Sequence, residues 1–205
     1  EDLEVSDPKI LPDTLLYPAK NFWWKIRTKL TFNPVKKAEL QLKIANSKLL
    51  EAKKLAQKTG REEILKQALA NYQQEMEVVQ NRIEAFKEKA KDNPKVDEFL
   101  DKFIDKVAKQ ERLMNRLEQQ LSDKPEVLEK IRQNRERAME HLGDALNQLE
   151  DKDKIAERLE KNLENIEGSR YKNFKNLEVL LELESKVPEQ AKEAIIKAQE
   201  NALHR

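Results

Sequence analysis

His141 and His204 are the two histidines of this 205-residue sequence, so metal or acid–base chemistry would have to start from them. Carboxylate metal centres in helical bundles use inward-facing Glu and a Glu-x-x-His pair on facing helices. Ala138 stands three residues before His141 and Asn201 three before His204, so neither completes that pair. His141 and Asp144 share a helix face and could hold a metal loosely, but a solvent-facing or helix-packing histidine is the expectation. Asp151-Lys152-Asp153 has the opening of a calcium loop. Its sixth position is Ala156 instead of Gly and its twelfth is Asn162 instead of Glu, which rules the loop out. The chain has no cysteine, which excludes a disulfide scaffold, thiolate metal ligation and a cysteine nucleophile. Nucleophile-elbow, Walker and dinucleotide patterns are absent too. The expectation is therefore a non-enzymatic chain with no catalytic residues, no metal site and no cofactor.

What remains is binding chemistry, and it is concentrated near the N-terminus. Tyr17-Pro18-Ala19-Lys20-Asn21-Phe22-Trp23-Trp24-Lys25-Ile26-Arg27-Thr28-Lys29-Leu30-Thr31-Phe32 holds both tryptophans. As a helix it puts Phe22, Ile26 and Leu30 on one face with Trp23 beside them. Residues 18–62 carry 12 Lys or Arg and 3 Glu, a net +9, whereas residues 1–17 carry five acids and one Lys, a net −4. Phe22, Trp23, Trp24, Lys25, Arg27 and Lys29 form the candidate interaction surface. One role is a helix lying on a membrane surface, with aromatics at headgroup level and cations toward anionic lipid. The favoured expectation is a short helix docked across one end of a bundle, its aromatics filling the open core.

The elements that position these residues follow from periodicity. Lys and Arg number 40, Asp and Glu 39, the formal net charge is +1 and 38% of residues are hydrophobic. Such a composition suits disorder, but the apolar spacing does not. Val35, Ala38, Leu42, Ala45, Leu49, Ala52 and Ala56 alternate steps of three and four, a heptad seam. The seam resumes as Leu65, Leu69, Tyr72, Met76, Val79, Ile83, Phe86 and Ala90. It returns as Val96, Leu100, Phe103 and Val107, is interrupted by Gln110, and continues through Met114, Leu117 and Leu121. A fourth stretch runs Leu128, Ile131, Arg135, Ala138, Leu142, Ala145, Leu149, Lys152, Ala156, Leu159, Leu163 and Ile166. The charged stems at Arg135 and Lys152 are expected to pack while their charges reach outward.

Punctuation agrees with the periods. Asn33-Pro34 and Asn93-Pro94 read as a cap followed by a first-turn proline. Gly60 and Gly168 read as helix stops. The expected helices are 18–30, 34–59, 62–91, 95–121, 125–166, 170–185 and 188–203, with Gly143 and residues 150–154 as weak points in the fifth. The fold class is all-α, an elongated antiparallel helical bundle with coiled-coil-like seams. The first long helix offers mainly Ala and Leu and the second offers Tyr72 and Met76, so these two are expected to pair as a hairpin. The expected organisation is an extended segment 1–17, the aromatic helix and hairpin over 18–91, and a helical continuation over 92–205 packed on the hairpin as one elongated unit. No run approaches 18 apolar residues, so no spanning helix is expected. The near-zero net charge gives no reason to expect nucleic acid.

Leu11-Pro12-Asp13-Thr14, Tyr17, Lys20, Trp24, Ile26-Arg27, Leu30-Thr31-Phe32-Asn33-Pro34, Lys37-Ala38-Glu39-Leu40 and Leu49-Leu50-Glu51-Ala52 resemble an exported bacterial and archaeal helical domain of unknown function. Its pattern runs Leu-Pro-Asp-Ser, Tyr, Lys and Leu-Thr-Phe-Asp-Pro into an Ala/Leu/Glu helix; here Asn33 replaces the usual Asp, and either caps. Asn176-Leu177-Glu178-Val179-Leu180, Val187-Pro188-Glu189-Gln190-Ala191-Lys192 and Ala194-Ile195 resemble the end of the same proteins. The resemblance implies export and carries no activity with it. The leading expectation is an exported interaction or spacer protein with an unidentified protein partner. The alternatives are a peripheral membrane or envelope protein anchored by residues 18–32, and a metal or small-ligand binder between helices.

Overall fold

The computed structural model describes residues 3–58, 61–86 and 93–146, together with Glu184, Lys192, Ile195, Ile196, Gln199 and Glu200. The protein is an all-α helical bundle, and the described residues include no strand. Among the described residues the continuous helices are α1 (Tyr17–Leu30), α2 (Pro34–Ala56), α3 (Glu62–Glu84), α4 (Pro94–Gln120) and α5 (Pro125–Leu146). At α2 and α4 the Asn-Pro starts hold because their caps are made. Asn33 Oδ1 accepts from Lys36 N at 3.0 Å, and Asn93 Oδ1 accepts from Lys95 N at 3.1 Å. Gly143 lies buried within α5 without interrupting it. Gly60, Gly168, Lys152, His204 and residues 147–166 lie outside the described residues, as do the expected helices 170–185 and 188–203 apart from the six isolated residues.

The chain divides into two compact units, one of Glu1–Phe86 with Lys109–Glu136 and one of Lys87–Ala108 with Arg137–Arg205. In the first, α2 and α3 form the hairpin anticipated from their seams. Ala38, Leu42, Ala45, Leu49 and Ala52 are buried on α2, and Leu65, Leu69, Tyr72, Met76, Val79 and Ile83 on α3. Small side chains on one helix leave room for large ones on the other. Gln41 reaches Glu75, while Glu51 and Asn71 both reach the Tyr17 hydroxyl, so α2 and α3 run antiparallel. The later part of α4, the turn after it and the first half of α5 complete this core with Leu113, Met114, Leu117, Leu121, Val127 and Ile131.

Several buried polar groups inside this unit bond to one another. Gln110, the interruption in the α4 seam, donates to Asn46 Oδ1 at 2.6 Å and accepts from the Tyr72 hydroxyl at 2.8 Å. Asn46 Nδ2 in turn donates to Leu3 O at 3.1 Å. Burial pushes the Tyr72 hydroxyl above its ordinary range, with the Glu111 charge adding to the effect, so it stays a donor. Arg135 departs from the expected outward reach: it is half-buried and forks between Glu111 and Glu118 of α4, at 2.5 Å to each. Burial works against the Glu118 charge, but hydrogen bonds from Arg132 and Arg135 hold its carboxyl below the usual range. In the second unit, Val96, Phe99, Leu100, Phe103, Ile104 and Val107 of α4 are buried, as are Ala138, Met139, Leu142 and Ala145 of α5. The Phe99 and Phe103 rings lie 6.4 Å apart in a tilted pair.

Candidate functional site

Residues 3–16 form a strap that ties down the basic outer side of α2. Leu3 and Leu11 are buried, Thr14 turns the chain by donating its hydroxyl to Leu11 O at 2.7 Å, and Lys54 pairs with Asp7 at 2.6 Å. Lys58 and Arg61 both approach Asp13. The acidic segment therefore neutralises cations at the C-terminal end of α2.

α1 follows with Pro18 in its first turn, and its inner face is polar. Tyr17, Lys20, Asn21, Trp24 and Thr28 recur at helical spacing toward α2. The Tyr17 hydroxyl donates to Glu51 Oε2 at 2.8 Å and accepts from Lys48 Nζ at 2.8 Å. Lys20 Nζ meets Glu51 Oε1 at 2.6 Å, and Lys48 Nζ donates to Asn21 Oδ1 at 2.6 Å. Glu51 is fully buried, and burial pushes the Lys48 amine down from its ordinary value while the Glu51 charge pulls it back. Burial, reinforced by the Glu51 charge, pushes the Tyr17 hydroxyl up. A buried lysine beside a carboxylate and a phenol is a combination found in active sites. Here the Lys48 side chain is only 4% exposed and its amine is engaged by Tyr17, Asn21 and Glu51, so the cluster clamps α1 onto α2.

Because the inner face is polar, the apolar face turns outward. Ala19, Phe22, Trp23, Ile26 and Leu30 fall within roughly 100° of arc at 3.6 residues per turn. Phe22 is 65% exposed, Trp23 60% and Leu30 66%; Leu15, Leu16 and Phe32 are exposed at the two ends of the helix. Ile26 is half-buried. Lys25 and Lys29 border the stripe on one side and Arg27 on the other. All three are exposed and form no ion pair among the described residues; the Arg27 guanidinium lies 5.4 Å from the Trp24 ring centre. The expected filling of the bundle core by these aromatics is corrected at Phe22 and Trp23. The clamp fixes the rotation of α1, so Trp24 turns inward and is half-buried while Trp23, one step of about 100° away, faces water.

Beside this stripe, α1, α2 and α3 enclose a groove of about 640 Å³. Lys25, Lys29, Lys37, Lys48 and Arg82 line it against one acid, Glu75, with Phe22, Trp24, Ile26 and Ile44 as apolar walls. Burial pushes the Glu75 carboxyl up, and Gln41 donates to it. The other candidates gather no site. His141 is half-buried and Asp144 exposed on α5, and among the described residues no cluster of three or more His, Asp or Glu could hold a metal ion. No helix among the described residues is long and apolar enough to cross a membrane.

Sequence reasoning missed Lys48, Glu51, Glu75 and Arg82. A signal for the first two existed: Gln41, Ile44, Lys48, Glu51 and Leu55 repeat the three–four alternation beside the Ala/Leu seam, marking a second contacted face on α2. Tyr17, Lys20 and Glu51, which meet in the clamp, are also among the residues that carried the resemblance to a helical domain of unknown function. Neither the curated proteins nor the solved structures gave a match to this chain. The family described as Domain of unknown function (DUF5667) matches residues 9–152, well over half of the sequence, and the chain belongs to that family.

Proposed function

We propose that this chain is a non-enzymatic, exported binding module that attaches peripherally to an anionic membrane surface through the outward face of α1. One observation carries the proposal: a clamped helix presents an exposed apolar stripe, Phe22, Trp23 and Leu30, bordered on both sides by Lys25, Lys29 and Arg27. That cross-section is how interfacial helices bind bilayers, with aromatics at the headgroup boundary and cations toward anionic lipid. A second protein helix would be served by the stripe alone; the flanking cations favour the lipid surface. Export rests on the sequence resemblance, and the non-enzymatic role on the commitment of Lys48 and Glu51 to the clamp.

Co-sedimentation of the chain with phosphatidylglycerol-rich and with phosphatidylcholine vesicles tests this. Three cations at about 1 kcal/mol each near an anionic leaflet correspond to roughly 100-fold tighter binding to the anionic vesicles at low salt, lost at high salt. Phe22→Ser with Trp23→Ser removes binding to both, since each buried aromatic contributes about 1.5–3 kcal/mol. Absence of binding to anionic vesicles at low salt refutes the proposal and leaves the stripe as a docking face for a protein helix.

A further inference from the structure

We propose that the groove enclosed by α1, α2 and α3 binds a phosphate ester, held by Arg82, Lys37, Lys25 and Lys29. The groove adjoins the apolar stripe, and a lipid headgroup as the source of the ester rests on the membrane reading above.

Its volume, about 640 Å³, lies in the range of small-molecule sites. Its chemistry is lopsided toward donors. Lys25 and Lys29 come from α1, Lys37 from α2 and Arg82 from α3, so three elements converge positive charge on one space. Lys48 is already engaged by the clamp and is not counted. Two further N–H groups on lining residues, Trp24 Nε1 and Arg82 Nε, are buried without a hydrogen-bond partner among the described residues. A buried donor left unmatched costs about 1–3 kcal/mol, and its presence calls for an acceptor. Several donors approaching from three helices suit a group with multiple anionic oxygens pointing apart. Phosphate provides that, and a guanidinium is the side chain best shaped to receive it.

The one acid present does not oppose this. Glu75 is half-buried and already accepts from Gln41, and its single charge is outnumbered by Lys25, Lys29, Lys37 and Arg82. The groove also shares Phe22 and Ile26 with the stripe and Lys25 and Lys29 with its border. An ester seated at Arg82 can therefore extend an apolar substituent along Phe22 and Ile26 toward the outward face.

The test uses the full chain carrying Trp23→Phe, in which Trp24 is the only indole and lines the groove. Glycerol 3-phosphate and dihexanoyl phosphatidic acid, the latter below its micelle-forming concentration, are titrated while Trp24 emission is recorded. Both are expected to produce a saturable change, weakened about tenfold or more by Arg82→Gln and by Lys37→Gln. Tighter binding of the short-chain lipid identifies a bilayer headgroup as the natural source; equal affinity identifies a free phosphate ester. Lys29→Gln, at an exposed position, supplies the same comparison if Arg82→Gln loses helix content by circular dichroism. No saturable response to either ligand overturns the inference, even where vesicle binding is intact. So does an affinity unchanged by Arg82→Gln, Lys37→Gln and Lys29→Gln. Saturable groove binding without vesicle binding leaves this inference standing and refutes the membrane reading alone.

Discussion

Glu51→Gln should release α1 from α2, and the size of the effect follows from what Glu51 holds. Its carboxylate is fully buried, lies 2.6 Å from Lys20 Nζ and 3.8 Å from Lys48 Nζ, and accepts from the Tyr17 hydroxyl at 2.8 Å. The amide keeps the shape and removes the charge. Lys20, with a side chain 15% exposed, can turn toward water, whereas Lys48 at 4% cannot. The loss is then chiefly one uncompensated buried cation, about 3–5 kcal/mol. Tyr17→Phe leaves both charges in place and should cost only about 1 kcal/mol. Urea unfolding followed by tryptophan emission measures both, because Trp23 and Trp24 sit on α1 and report its detachment directly. The pH dependence has a fixed sign. Burial already lowers the Lys48 amine from its ordinary 10.5. Without Glu51 the folded state releases that proton still more easily than the unfolded chain, so stability rises with pH and the deficit of the variant narrows toward pH 10. Adding Lys48→Met to Glu51→Gln should restore most of the loss, since apolar replacement of a buried ion pair is often neutral. If the double variant is as unstable as Glu51→Gln alone, an uncompensated charge is not the cause and the clamp has been misread.

Two further outcomes follow from local features. Asn33→Ala removes the acceptor for Lys36 N at the start of α2 and should lower stability by about 1 kcal/mol in thermal unfolding, with Asn33→Asp retaining the parent value. Burial raises the Glu75 carboxyl above its ordinary 4.5, so its charge opposes folding at neutral pH and the opposition fades as pH falls through the folded value toward 4.5. Glu75→Gln should therefore unfold at higher urea than the parent at pH 7, with the difference vanishing near pH 4.5; a variant less stable at pH 7 refutes this.

The hairpin and the helix starts were legible because they depend on local rules. Ala38 to Ala52 and Leu65 to Ile83 repeat at three and four, and Asn-Pro pairs fix where α2 and α4 begin. The orientation of α1 was not legible by the usual rule, which turns the apolar side of a helix to the core. That rule fails where a polar face finds buried partners of its own: Tyr17, Lys20 and Asn21 reach Glu51 and Lys48, and the ion pairing sets the rotation. The α2 side of that contact was visible as a second stripe beginning at Gln41, but its polar residues resemble a solvated face. Arg82 and Glu75 carry no spacing signal, since their role in the groove depends on three helices meeting.

The Gln110 layer bears on alignment. Heptad seams are nearly self-similar, so sliding α4 by seven residues would bring Phe103 or Leu117 to the position of Gln110, with hardly any loss of greasy contact. Either slip would strand Asn46 Oδ1 and the Tyr72 hydroxyl in the interior without the Gln110 partner. One glutamine thus works as a key cut for a single notch. It lets a repetitive sequence fold to one arrangement among several that packing alone would accept.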